Sequence, residues 1–124
     1  MLERLEGLRI IANAQALDAA VWPNGSRVFR LAADDVFLLG DGEVHLDDPH
    51  AIVELETGFS GMSMEPAAAL DWLESTCEWE LPGQRPAFAQ GAVAGLAVKL
   101  WFDETEVFVM TASALAAELE ERMP

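Results

Sequence analysis

The stretch 93–102 constrains the fold most, because its large apolar residues recur with the period of two that is typical of a β-strand. Leu96, Val98 and Leu100 would lie on one face, and the intervening residues on the other. A short acidic turn follows, and 107–110 is again apolar and β-branched. Two such runs joined by a short turn predict a β-hairpin, and therefore antiparallel pairing in the sheet that contains it.

Other segments predict the rest of a mixed fold. The remaining strand candidates are 27–31, 36–39, 51–55 and a shorter one at 60–64. Helix candidates are an alanine-rich stretch over 14–21, a helix opened by Glu65 and Pro66, and a last helix capped by Thr111. This order predicts an α+β fold, with an antiparallel-rich sheet and two or three helices on one face. We expect the 124 residues to form a single domain.

Composition excludes several classes of partner. Acidic residues outnumber basic ones by 22 to 7, which gives a net charge of −15. Nucleic acid and anionic membrane surfaces would repel such a chain. The single cysteine, Cys77, excludes an internal disulfide, and its helical spacing from Leu70 and Leu73 predicts a buried, unreactive thiol. With neither a signal-peptide pattern nor an apolar run long enough to span a bilayer, we expect a cytoplasmic protein.

Two groups of side chains are weak candidates for chemistry. His45, Asp47 and His50 carry metal-ligating groups, although the loop that contains them is more typical of a solvated turn. Glu54 and Glu56 lie two apart on a strand and therefore on one face, where a carboxylate pair could bind a cofactor or transfer protons. No phosphate-binding glycine loop or nucleophile motif accompanies them, so we expect no catalytic residues, metal or bound cofactor in this chain.

Aromatic residues are more informative than the polar ones. The chain has 4 tryptophans and no tyrosine, which is a large apolar area for a small domain. Aromatic and arginine side chains on irregular surface segments are typical interface anchors, although each could equally fill the core. The predicted partner interface comprises Phe59, Trp79, Arg85, Phe88 and Trp101.

Five segments occur in the order found in one known family. They comprise an acidic turn before an apolar strand, a central strand, a Pro-x-Ala helix start, a strand before the last hairpin, and a closing strand with its helix. These segments are 27–40, 51–59, 65–73, 90–101 and 107–122.

On these segments the chain resembles the gamma subunit of heterotetrameric sarcosine oxidase. That subunit shares the folate-binding-like domain of aminomethyltransferases and of a tRNA-modifying GTPase. The resemblance implies a fold of the aminomethyltransferase domain 1 type. It also implies a non-catalytic subunit that packs against larger flavin-bearing subunits, which oxidise N-methyl amino acids or related secondary and tertiary amines. FAD, FMN or NAD would then be bound by those partner subunits.

The departures from the family leave alternatives open. Where the family has aspartate and serine on the central strand, this chain has Glu54 and Glu56, and the longer acid argues against a folate-dependent one-carbon transferase. Glu65 stands where the family has glycine. A protein of another class is the main alternative: a free-standing acidic protein, of the immunity or inhibitor type, that docks on a basic partner.

Overall fold

A computed structural model describes all residues 1–124, and the chain divides into two compact units. The N-terminal unit is Glu6–Thr57, and the C-terminal unit combines Met1–Leu5 with Gly58–Pro124. The fold is α+β, with two antiparallel sheets and three short α-helices. The predicted α+β class is confirmed. The sequence predicted one sheet, whereas the structure has two. That 1–124 forms a single domain stays a prediction.

The elements are numbered in chain order. The strands are β1 Glu3–Arg4, β2 Gly7–Ile11, β3 Arg27–Ala32, β4 Asp35–Leu39, β5 Ile52–Glu56, β6 Phe59–Met64, β7 Ala87–Val93, β8 Leu96–Phe102 and β9 Val107–Ala112. The α-helices are α1 Ala14–Ala19, α2 Pro66–Thr76 and α3 Ala116–Arg122, the last preceded by a 3-10 turn over Ser113–Leu115.

The C-terminal unit packs two helices on one face of a five-stranded sheet with the order β1-β6-β9-β8-β7. As the alternation predicted, Val98, Leu100 and Phe102 of β8 are buried in one cluster. Leu73 of α2 and Leu119 of α3 complete that cluster and are fully buried. The helices therefore cover the face that the period-two pattern of β8 makes apolar.

Local capping explains where α2 begins. Glu65 is the N-cap, and its carboxylate accepts hydrogen bonds from the backbone N–H groups of Ala67 and Ala68. Pro66 follows at the first helical position, where a missing N–H costs nothing. Near the other end of α2, the Trp72 indole N–H donates to the carbonyl of Arg122 at 2.9 Å, which links α2 to the last residue of α3.

Replacing Trp72→Phe is expected to lower the free energy of unfolding by about 1 kcal/mol, because a partly buried carbonyl loses its donor. Trp79→Phe is the matched control, since the Trp79 indole donates to the carbonyl of Ala92 at a more exposed site. Urea unfolding of both variants measures the difference. If Trp79→Phe lowers the free energy of unfolding by as much or more, the stabilising role of the hydrogen bond from Trp72 to Arg122 is contradicted.

The prediction of one strand over 93–102 is wrong in its boundaries. Strand β7 ends at Val93, and β8 begins at Leu96, so the two form a hairpin of their own. Ala94 has φ 51 and Gly95 has φ 82. Two successive residues with positive φ form the two-residue turn that matches the twist of antiparallel strands. Phe88, expected on an irregular segment, lies within β7.

The predicted helix cap at Thr111 is also wrong. Thr111 belongs to β9, is fully buried, and donates its hydroxyl to the carbonyl of Ala97 at 2.8 Å. The helix α3 starts five residues later, after the 3-10 turn. Cys77, expected on the core face, is only partly buried at the C-cap of α2, where it packs against the core.

The N-terminal unit is a four-stranded sheet with the order β3-β4-β2-β5. Ile10 of β2, Val36 and Leu38 of β4, and Leu17 of α1 form its buried cluster. The helix predicted over 14–21 is confirmed as α1, which ends at Ala19. A turn over 23–26, closed by a hydrogen bond from the Ser26 N–H to the Pro23 carbonyl, leads into β3. Neither unit contains a helix with the length and apolar character needed to cross a membrane.

Candidate docking surface

The edge strand β5 is the most unusual surface of the N-terminal unit. It pairs with β2 on one side and is the last strand of its sheet. Its three apolar side chains are largely exposed: Ile52 by 52%, Val53 by 53% and Leu55 by 71%. An edge strand with exposed apolar side chains is a template for pairing with another chain unless cations, a proline or a covering element protect it.

The opposite edge of the same sheet differs in this respect. Strand β3 carries Arg27 and Arg30, and cations on an edge strand oppose unwanted pairing. The Arg30 guanidinium also donates to the carbonyls of Ala32 and Ala33 next to that edge. Strand β5 contains neither a cation nor a proline, and its one exposed charge is the Glu54 carboxylate. The two edges of one sheet therefore have opposite character.

Two of the three apolar side chains of β5, Val53 and Leu55, continue the buried face of the sheet, whereas Ile52 lies on the other face. Val53 lies opposite Ile10, and Leu55 lies opposite Leu8, so they share the face on which Leu17 of α1 packs. Ile10 is fully buried, whereas its partner Val53 is not. The apolar face of the sheet therefore continues onto β5, beyond the part of that face that is buried.

The pairing of β2 fixes which backbone groups of β5 face outward. The Ala12 N–H donates to the carbonyl of Asp34, which continues the β2–β4 ladder at its end. Because hydrogen-bonded pairs alternate in an antiparallel ladder, Ile11 and Arg9 direct their backbone groups toward β5. Their partners are Ile52 and Glu54. Val53 lies between these two partners, and Leu55 follows Glu54. Both therefore direct their backbone N–H and C=O groups to the open edge of the sheet.

One arginine ties this strand to the sheet. Arg9 donates to both carboxylate oxygens of Asp35, at 2.6 and 2.7 Å, and to Glu56 at 2.8 Å. These hydrogen bonds raise the pKa of Arg9, and the largest contribution comes from Asp35. Burial of the guanidinium lowers the pKa, but by less. Since the side chains are only 18–32% exposed, this ionic cluster is partly shielded from solvent.

Glu54 and Glu56 lie on one face, as the sequence predicted, but they differ in their partners. Glu56 is half-buried and bound by Arg9. Glu54 is exposed and lies opposite Arg9 in the ladder, but the Arg9 guanidinium donates to Asp35 and Glu56 instead. The ion pair of Glu56 was not foreseen, because Arg9 lies 47 residues away and only the strand register brings them together.

The structure does not bring His45, Asp47 and His50 together. Nowhere in the chain do three or more His, Cys, Asp or Glu side chains form a group that could hold a metal ion. His45 pairs through its backbone with Val21, and it lines, with Asp47, a cleft of about 570 Å³ beside α1. The other residues lining the cleft are apolar.

Asp48, the second carboxylate of this loop, organises it through backbone contacts. Its carboxylate accepts from the backbone N–H groups of Asn13 and His50, each at 2.9 Å. These bonds, the one from Asn13 contributing most, lower the pKa of Asp48 below the ordinary 3.8. A carboxylate with a lowered pKa stabilises the fold above pH 3.8 and loses that contribution as the pH falls through its folded value.

We therefore expect the amide resonances of Asn13 and His50 to shift together during an NMR titration, with a midpoint below pH 3.8. The Asp48→Asn variant, which has no carboxylate to protonate, is the control and should abolish this common transition. A midpoint above 3.8, or an unchanged transition in Asp48→Asn, would contradict the assignment.

The predicted interface residues lie in the C-terminal unit but do not form one exposed patch. Phe59, Phe88 and Trp101 are half-buried on the sheet face opposite the helices, and Lys99 lies over the Phe59 ring at 5.5 Å. Trp79 packs against the helix-covered core, as a half-buried side chain with its N–H bonded to Ala92.

Arg85 lies apart from those three aromatic residues. Its guanidinium is 4.8 Å from the ring centre of Phe102, and it donates to the carbonyls of Pro82 and Gln84. Trp79 and Arg85 therefore help to hold the irregular segment between α2 and β7. That these five residues bind a partner stays a prediction.

Comparison with protein-family models, with curated proteins and with solved structures finds no match to this chain. The surface described above consequently rests on the geometry of the chain itself.

Proposed function

We propose that this chain is a non-catalytic assembly subunit whose task is to be bound by a larger protein. One observation carries the proposal: the apolar edge strand β5, on which Ile52, Val53 and Leu55 are mostly exposed. Exposed apolar side chains favour association, since a partner that covers them removes apolar surface from water.

The resemblance of the sequence gives this proposal a particular form. The chain would be a small, gamma-like subunit with a folate-binding-like fold. Its partners would be larger flavin-bearing subunits of an oxidase or dehydrogenase that acts on N-methyl amino acids or related secondary and tertiary amines. FAD, FMN or NAD would be bound by those subunits. The net charge of −15 would orient the chain as it approaches them.

Purification of the tagged chain from the organism that encodes it tests this proposal. We expect the chain to elute with larger subunits that carry flavin absorbance, and the complex to oxidise N-methylated amines. A chain that elutes alone, at the size of one copy, would contradict the proposal. The control is the double variant Val53→Lys and Leu55→Lys, which places cations on the edge and should release the partner.

The charge favours a second candidate, an acidic protein that docks on a basic partner. Fifteen net negative charges would accelerate encounter with a cationic surface. The salt dependence of association separates the two candidates. Electrostatic docking should weaken steeply between low and physiological salt, whereas apolar packing against a flavoprotein should weaken much less.

A further inference from the structure

We propose that β5 accepts an added β-strand from its partner, and that this strand alternates apolar and basic side chains. This inference rests on the proposed function, because it specifies how the partner would be bound at the same edge. Its parts are the outward-facing backbone groups of Val53 and Leu55, their exposed side chains, and the carboxylate of Glu54 on the other face.

The backbone of β5 can pair with a second strand without rearrangement. Ile52 and Glu54 lie opposite Ile11 and Arg9 of β2, and their backbone groups are directed into that ladder. Val53 and Leu55 direct their backbone groups away from β2. This follows from the hydrogen bond between the Ala12 N–H and the Asp34 carbonyl, because hydrogen-bonded pairs alternate along an antiparallel ladder. Val53 and Leu55 each offer one donor and one acceptor in the plane of the sheet. An added strand would satisfy all four groups.

The side chains specify the sequence pattern of the added strand. Val53 and Leu55 share one face, so residues of the partner on that face should be apolar and should extend the cluster around Ile10. Glu54 is exposed on the other face, where it lies opposite Arg9 of β2, but the Arg9 guanidinium donates to Asp35 and Glu56 and leaves the Glu54 carboxylate open to a further cation. Opposite charges on neighbouring strands attract, whereas like charges directly opposite repel. A lysine or arginine facing Glu54 is therefore favoured.

A second copy of this chain is disfavoured as the occupant. Each copy carries a net charge of −15, so two copies repel each other over the whole surface. Two β5 strands paired about Glu54 would also place its carboxylate opposite its own counterpart. A basic segment has neither disadvantage.

The probe is a synthetic peptide in which lysine and valine alternate, titrated into the chain and followed by amide hydrogen exchange. We expect the amides of Val53 and Leu55 to become protected, and those of Ile52 and Glu54 to change little because β2 already binds them. A peptide that alternates glutamate and valine is the charge control and should bind at least about tenfold more weakly.

Two kinds of variant test the two parts of the proposal. Leu55→Pro removes one outward N–H, at a position where an edge strand tolerates proline, and should weaken the lysine peptide by about tenfold. Glu54→Lys keeps every backbone group and should reduce the preference for the lysine peptide. Glu104→Gln, a charge change at an exposed turn of the C-terminal unit, should leave both affinities unchanged.

Three results would overturn the proposal. They are the absence of lysine-peptide binding, equal affinity for both peptides, and protection of Val53 and Leu55 without any peptide, which would assign the edge to a second copy. If the peptide test fails, purification of the tagged chain still tests the proposed flavoprotein complex independently. Conversely, a chain that binds the peptide but elutes alone from its own organism would overturn only the proposed function.

Discussion

Phe102→Ala is expected to lower the free energy of unfolding by about 3–5 kcal/mol, because it leaves a cavity in a close-packed core. Phe102 is fully buried at the end of β8, in the cluster that α2 and α3 cover. Its ring also lies 4.8 Å from the Arg85 guanidinium, so the variant should loosen the segment before β7 as well.

Phe102→Leu is the matched control, since leucine fills most of the same volume and should cost less than about 1.5 kcal/mol. Urea unfolding followed by tryptophan fluorescence measures both variants. A loss below about 1 kcal/mol in Phe102→Ala would contradict the placement of this ring in the core.

Arg9→Met should destabilise the N-terminal unit by about 2 kcal/mol, because two partly buried carboxylates lose their cation. Methionine preserves the volume of the arginine stem, so the change is one of charge and hydrogen bonding. The salt bridge to Glu56 fastens β5 to its only neighbouring strand. The amides of Ile52 and Glu54, which β2 binds, should therefore exchange faster in this variant.

Neutralising the carboxylates provides the control for Arg9→Met. The triple variant Arg9→Met, Asp35→Asn and Glu56→Gln removes the uncompensated charges and should recover about half of the lost stability. An Arg9→Met protein with unchanged stability and unchanged exchange in β5 would contradict the role of this cluster. The edge strand would then be held by its ladder alone.

Local sequence signals predicted most elements of the fold. Period-two alternation identified the strand around Leu100, the apolar run 36–39 identified β4, and Glu65 with Pro66 marked the start of α2. The hairpin turn between β7 and β8 was missed because Ala94 has no chemical preference for positive φ, and only Gly95 carried that signal. The two residues are embedded in an apolar run, so the turn does not interrupt the hydrophobic pattern.

The candidate surface depended on information that no local pattern contains. The stretch 51–55 was correctly interpreted as a largely apolar strand, and the shared face of Glu54 and Glu56 followed from its period. Whether such a strand lies at the centre or the edge of a sheet depends on strand order, which distant pairings decide. Its exposure and the ion pair of Arg9 with Glu56 were for that reason unpredictable.

Hydrogen exchange on the chain purified from its own organism tests the central claim most directly. If a partner covers the edge, the amides of Val53 and Leu55 should exchange slowly in the purified material and rapidly in the isolated recombinant chain. The purified material should also contain a flavin-bearing subunit. Equal, rapid exchange of these two amides in both samples would contradict the account.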